Sequence, residues 1–137
     1  MIKYSFDISK FPDDLNWDSA LVCEVESNYF SISINEVEVF SNQEFLVYEL
    51  FDALHKWLIK NVSGKSDFYF VSMDEEEEPI VAFLYDEGSG NYHFESVFKL
   101  ADAIVTFQDI VDSYQKFKTD LSDQLLKKYE YHMQLED

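Results

Sequence analysis

Between Asp67 and Tyr85, two apolar runs flank five consecutive acids, Asp74 to Glu78. No other stretch constrains the fold as much. Each run is short and bounded by charge or turn residues, which is strand length rather than helix length. The spacing predicts strands at about 67–72 and 79–86, joined by the acidic segment. In the second, Ile80, Ala82 and Leu84 alternate with Val81, Phe83 and Tyr85, so both faces are apolar. A strand of that kind belongs in the interior of a sheet, covered on both sides.

Period-two alternation recurs earlier. Ile2, Tyr4, Phe6 and Ile8 oppose Lys3, Ser5 and Asp7, which is an antiparallel strand with one wet face. Residues 10–19 read as a loop broken by Pro12. Strands follow at 20–26 and 29–34, with turns expected at Ser27-Asn28 and Asn35-Glu36, and Val37 and Val39 continue the meander. The period then changes. Val47, Leu50, Phe51, Leu54, Trp57 and Leu58 form a helical stripe, with Ser41 or Asn42 as the expected cap and Gly64 as the stop. This places a helix at about 43–62. Asp86-Glu-Gly-Ser-Gly90 reads as a hairpin turn, followed by strands at 91–98 and 102–106. From Phe107 a second stripe (Ile110, Val111, Tyr114, Phe117, Leu121, Leu125) predicts a helix at about 107–134. The expectation is a single α+β domain over residues 1–137, an antiparallel sheet of about 6–8 short strands with two main helices.

Composition narrows the function classes. The net charge is −18, from 28 acids and 10 bases, and every base is lysine. Such a field repels nucleic acid and anionic membranes and draws cationic partners. The absence of arginine argues against an anion-handling active site, which usually wants the guanidinium fork. The single cysteine, Cys23, sits between Leu21 and Val25 and reads as a buried thiol in a reducing compartment. No basic segment leads into an apolar run near the start, so a cytoplasmic protein is expected.

No residue set amounts to a catalytic or cofactor signature. Five adjacent carboxylates cannot all face one ion, since calcium loops alternate their ligands and turn on a glycine. His55, His93 and His132 lack metal-ligand spacing. His55 reads as packing at a helix boundary, and His93 as a solvent-face neighbour of Glu95. The expectation is no enzyme, no metal and no cofactor. The acids interleave with tyrosines, a residue favoured at interfaces. The candidate partner-binding residues are therefore Asp74, Glu75, Glu76, Glu77, Glu78, Tyr85, Asp86 and Glu87.

Three segments carry a resemblance: Glu44-Phe-Leu-Val-Tyr-Glu-Leu-Phe-Asp-Ala-Leu-His-Lys-Trp57, Asp67-Phe-Tyr-Phe-Val-Ser72, and Phe94-Glu-Ser-Val-Phe98. Together they resemble small bacterial immunity proteins of polymorphic or contact-dependent toxin systems, over roughly residues 40–120. The resemblance implies no catalytic residues. It implies an acidic inhibitor, monomeric or weakly dimeric, that neutralises a cationic toxin domain such as a nuclease by occluding its working surface. The alternative from the residues alone is a non-catalytic structural or adaptor domain whose acidity serves solubility.

Overall fold

The computed structural model describes residues 1–10, 26–61, 63–71 and 79–133. The expected strand at 20–26, Cys23 and the acids Asp74 to Glu78 lie outside them, save for Glu26 at the start of a strand.

The chain runs β1 (Ile2–Lys10), β2 (Glu26–Ile34), β3 (Val37–Phe45), α1 (Val47–Lys60), β4 (Phe68–Phe70), β5 (Val81–Tyr85), β6 (Tyr92–Glu95), β7 (Ile104–Val105) and α2 (Phe107–Tyr129). It is the expected α+β architecture, and its strands divide between two antiparallel sheets, β1-β2-β3 and β4-β5-β6-β7.

In the first sheet, the alternation of β1 and β2 buries Ile2, Tyr4, Phe6, Ile8, Phe30, Ile32 and Ile34. Asn35 and Glu36 form the expected two-residue turn, both with positive φ, the geometry that matches hairpin twist. A bulge in β3, opposite Ile32 and Ser33, lets the sequence neighbours Val39 and Phe40 both be fully buried.

Three local expectations change. Ser27-Asn28 is no turn; both lie within β2, where Ser27 is buried and its hydroxyl donates to the Phe45 carbonyl. Ser41 and Asn42 do not cap α1. They pair with Ser31 and Phe30, so β3 continues to Phe45 and the helix starts at Val47. At the other end α1 stops at Lys60, before Gly64, because Asn61 closes it. The Asn61 N–H reaches the Trp57 carbonyl, and its side-chain oxygen accepts from the N–H groups of Lys65 and Ser66. Its amide nitrogen donates to the Tyr92 hydroxyl, which donates to the Gly64 carbonyl. Asn61 is buried, so Asn61→Ala strands several donors and acceptors at once. We expect a loss of about 1–3 kcal/mol, read as a lower urea midpoint with an unchanged slope.

α2 starts on a complete capping box between Thr106 and Asp109. It ends at Tyr129, five residues before the expected 134, because Glu130 turns into the left-handed region. α2 lies across β1 and against α1, and α1 also reaches β2 and β4. Phe117 stands at the centre, its ring 4.6 Å from Tyr4, 5.4 Å from Phe6, 6.1 Å from Phe30 and 5.4 Å from Phe51. Trp57 ties α1 to the second sheet through Phe68 and Tyr92. Both helices thus sit on one side of the sheets.

Candidate functional site: the outer face of the second sheet

The first sheet presents small polar groups away from the helices. Lys3 pairs with Ser33, which pairs with Glu38; Ser5 pairs with Ser31, which pairs with Ser41. This is an ordinary wet face.

The second sheet is different. Phe68, Phe70, Val81, Phe83, Phe94 and Val105 are buried on its helix side. By alternation its other face carries the rows Tyr69–Ala82–Glu95 and Leu84–His93–Ile104. Val71 and Val97 flank it beyond the paired residues, where the Val97 N–H donates to the Pro79 carbonyl; Ile80 belongs to the buried core. As expected, β5 is buried on both faces at Val81, Ala82 and Phe83, with Leu84 and Tyr85 half-buried. Among the described residues, no helix crosses the outer face. On this face Ala82 is fully buried, whereas Tyr69 is 56% exposed, Ile104 56%, Val97 41% and Val71 38%. Several exposed apolar groups on one sheet face make it a candidate contact site.

Charge surrounds this strip. Asp67 lies at the start of β4, where it accepts from the Tyr69 hydroxyl at 3.3 Å and from the Tyr85 N–H at 2.6 Å. Partial desolvation, and next the Asp67 carboxylate, hold the Tyr69 hydroxyl above its ordinary pKa. Lys99 pairs with Asp102 at 2.7 Å and Glu95 at 3.2 Å. Those hydrogen bonds raise the Lys99 ammonium and lower the Asp102 carboxyl. Asp86 accepts from the Gly88 N–H and the Ser89 hydroxyl in the β5–β6 turn, and His93 Nε2 stands 3.6 Å away. The Ser89 hydroxyl first, then the Gly88 N–H, hold the Asp86 carboxyl below the usual range. His93 therefore faces Asp86, while Glu95, its expected neighbour, is held by Lys99.

The sequence-predicted residues separate. Asp86 and Glu87 lie at the hairpin, on the rim of the strip, with Glu87 exposed and Asp86 engaged in holding the turn. Tyr85 turns toward the helix side, edge-on to the Tyr92 ring at 5.4 Å. Asp74 to Glu78 fall outside the described residues. Sequence reasoning did not single out Tyr69, Val71, Val97 and Ile104 as one surface. The apolar character of both β5 faces was the signal that pointed there.

His55 is largely buried at the edge of the core, and its Nδ1 hydrogen-bonds the Tyr114 hydroxyl. This pair lies at an open cleft of about 540 Å³ between α1 and α2, with Leu58, Ile59, Phe107 and Val111 among its walls. Burial raises the Tyr114 hydroxyl. Among the described residues, no group of His, Cys, Asp and Glu side chains could hold a metal ion, and no helix is long and apolar enough to cross a membrane.

A family model, the domain of unknown function DUF7878, matches residues 2–127. The chain belongs to that family. No curated protein and no solved structure matches it.

Proposed function

We propose that this member of the DUF7878 family is an acidic binding protein that holds a cationic protein against the outer face of its second sheet, and that the partner is a toxin domain which the chain neutralises as its immunity protein. The observation that carries this reading is the outer face of the second sheet, where Tyr69, Val71, Val97 and Ile104 are exposed and the carboxylates of Asp67, Glu87, Glu95 and Asp102 stand among and beside them. Exposed aromatic and aliphatic groups interleaved with polar and charged ones match the mixed composition of non-obligate interfaces. The −18 net charge selects a basic partner and speeds its approach. Occlusion follows directly: a toxin that grips nucleic acid through lysine and arginine offers the same groups to these carboxylates. The acids Asp74 to Glu78 add charge to the chain between β4 and β5. The toxin–immunity assignment draws on the resemblance of the α1, β4 and β6 segments to immunity proteins; the geometry supports the binding role.

The test uses the purified chain as bait in lysate of its source cell at low salt. A variant with Tyr69→Ser and Ile104→Ser is run beside it. The captured protein is identified and assayed for toxicity with and without the chain. A basic protein lost from the variant, whose activity the wild type suppresses, is the expected result. Its association rate falls as the salt rises and the Debye length shrinks from about 30 Å at 0.01 M to about 8 Å at 0.15 M. A captured protein held equally by the variant, or one whose activity the chain leaves untouched, contradicts the reading.

A further inference from the structure

The two sheets have four edges, and the chain treats them differently. Along β1, the Gln124 side chain acts as a substitute strand: its oxygen accepts from the Ile8 N–H at 2.9 Å, and its nitrogen donates to the Phe6 carbonyl at 3.0 Å. Lys128 adds a bond to the Ile8 carbonyl at 3.0 Å. Along β3, the Leu100 N–H donates to the Val39 carbonyl at 2.9 Å. β7 is only two residues long. These are ordinary ways of blunting an edge. β4 is short as well, at three residues, but among the described residues no side chain or neighbouring segment bonds its outer edge.

The direction of the β4 backbone follows from its bonds. The Phe70 carbonyl accepts from the Ile80 N–H at 2.8 Å, so Phe70 points toward β5. The N–H and C=O of one residue point to one side of a strand, and those of its neighbours to the other. Tyr69, with Val71 and Asp67 in the same phase, therefore turns its backbone groups outward. All three residues are exposed. Among the described residues, none pairs with the Tyr69 or Val71 backbone on that side.

We propose that the free edge of β4 is a strand-addition site, which pairs with an extended basic segment of the partner. This deepens the proposed function and rests on it. The added strand would continue the sheet, so that alternate side chains pass over the outer face beside Tyr69 and Val71. Main-chain bonds give such a complex its affinity, and the pockets for alternate side chains give its specificity. Charge selects the occupant: Asp67 stands at the start of the edge, Asp86 and Glu87 lie in the β5–β6 turn, and Glu95 ends β6 of the same sheet. A second copy of this chain brings another −18 to the same place, and like charges oppose that pairing.

The probe is a short peptide alternating lysine and threonine, added to the isotope-labelled protein at low salt. Amide hydrogen exchange is read residue by residue. The expected result is a slowing of roughly tenfold or more at the Tyr69 and Val71 amides. A fully N-methylated peptide of the same sequence keeps the charges, removes the donors and produces no slowing. A Tyr69→Pro variant loses an outward N–H while its β4–β5 bonds remain, since proline is tolerated on an open edge; it should bind the unmodified peptide more weakly than Tyr69→Ala does. Equal binding of both peptides, with signal changes confined to outer-face side chains, overturns strand addition and leaves the binding face standing. No change at either amide at any peptide concentration also overturns it. Concentration-dependent protection of Tyr69 in the protein alone overturns it in favour of a second copy.

Discussion

Replacing Phe117 by alanine is expected to cost about 3–5 kcal/mol, roughly a fifth or more of the stability of a typical domain. The position is fully buried. Its ring touches Tyr4 and Phe6 of β1, Phe30 of β2 and Phe51 of α1, so one truncation opens a cavity where three elements meet. None of the neighbours can collapse into it freely, because Phe30 is stacked on Phe45 at 4.5 Å and Phe51 on Tyr114 at 5.4 Å. Urea unfolding followed by circular dichroism measures the loss. Phe117→Leu, which keeps most of the volume, should recover more than half of it. A Phe117→Ala protein with a midpoint near wild type would mean that α2 does not pack across β1 as described.

The second large effect concerns binding and should leave folding alone. Tyr69→Ala with Ile104→Ala removes side chains that are more than half exposed and lie outside the buried core cluster. We expect an unchanged or slightly raised melting temperature. For the basic partner, each truncation should weaken affinity by roughly 30-fold, the ~2 kcal/mol of an interface hot spot. The matched control is Ser31→Ala with Ser41→Ala on the outer face of the first sheet, which should change neither quantity. Titration calorimetry on the four proteins decides the point. Equal weakening by both pairs would remove the distinction between the two faces.

Much of this arrangement was legible in the sequence, and the limits have physical causes. The helical stripes from Val47 and from Phe107 are long and strongly periodic, so α1 and α2 were readable within a few residues. Asn35-Glu36 declared its turn because asparagine tolerates positive φ. The start of α1 was misplaced because Ser41-Asn42-Gln43 has the chemistry of a helix cap. Pairing with Phe30 and Tyr29 overrides that local preference, and a pairing partner more than ten residues away leaves no local trace. The turn expected at Ser27-Asn28 failed for the same reason. The role of Asn61 was hidden because it depends on Tyr92, brought close only by the fold.

The candidate site was legible in part. The sequence showed acids on both sides of β5 and marked β5 as apolar on both faces. It did not reveal which face the helices take. That choice turns Tyr85 toward Tyr92 and leaves Leu84, Tyr69 and Ile104 on the outside. Period two divides residues into two sets and is silent about which set meets solvent when both are apolar.

The most direct test of the central claim is hydrogen exchange of the chain alone and in complex with the basic protein it captures, mapped peptide by peptide. Protection confined to residues 67–71, 80–85, 92–97 and 102–105, with the first sheet and α2 unchanged, is the predicted outcome. Protection on β1 and α2 with residues 67–71 and 102–105 unaltered would contradict the account and move the binding surface to the other side of the molecule.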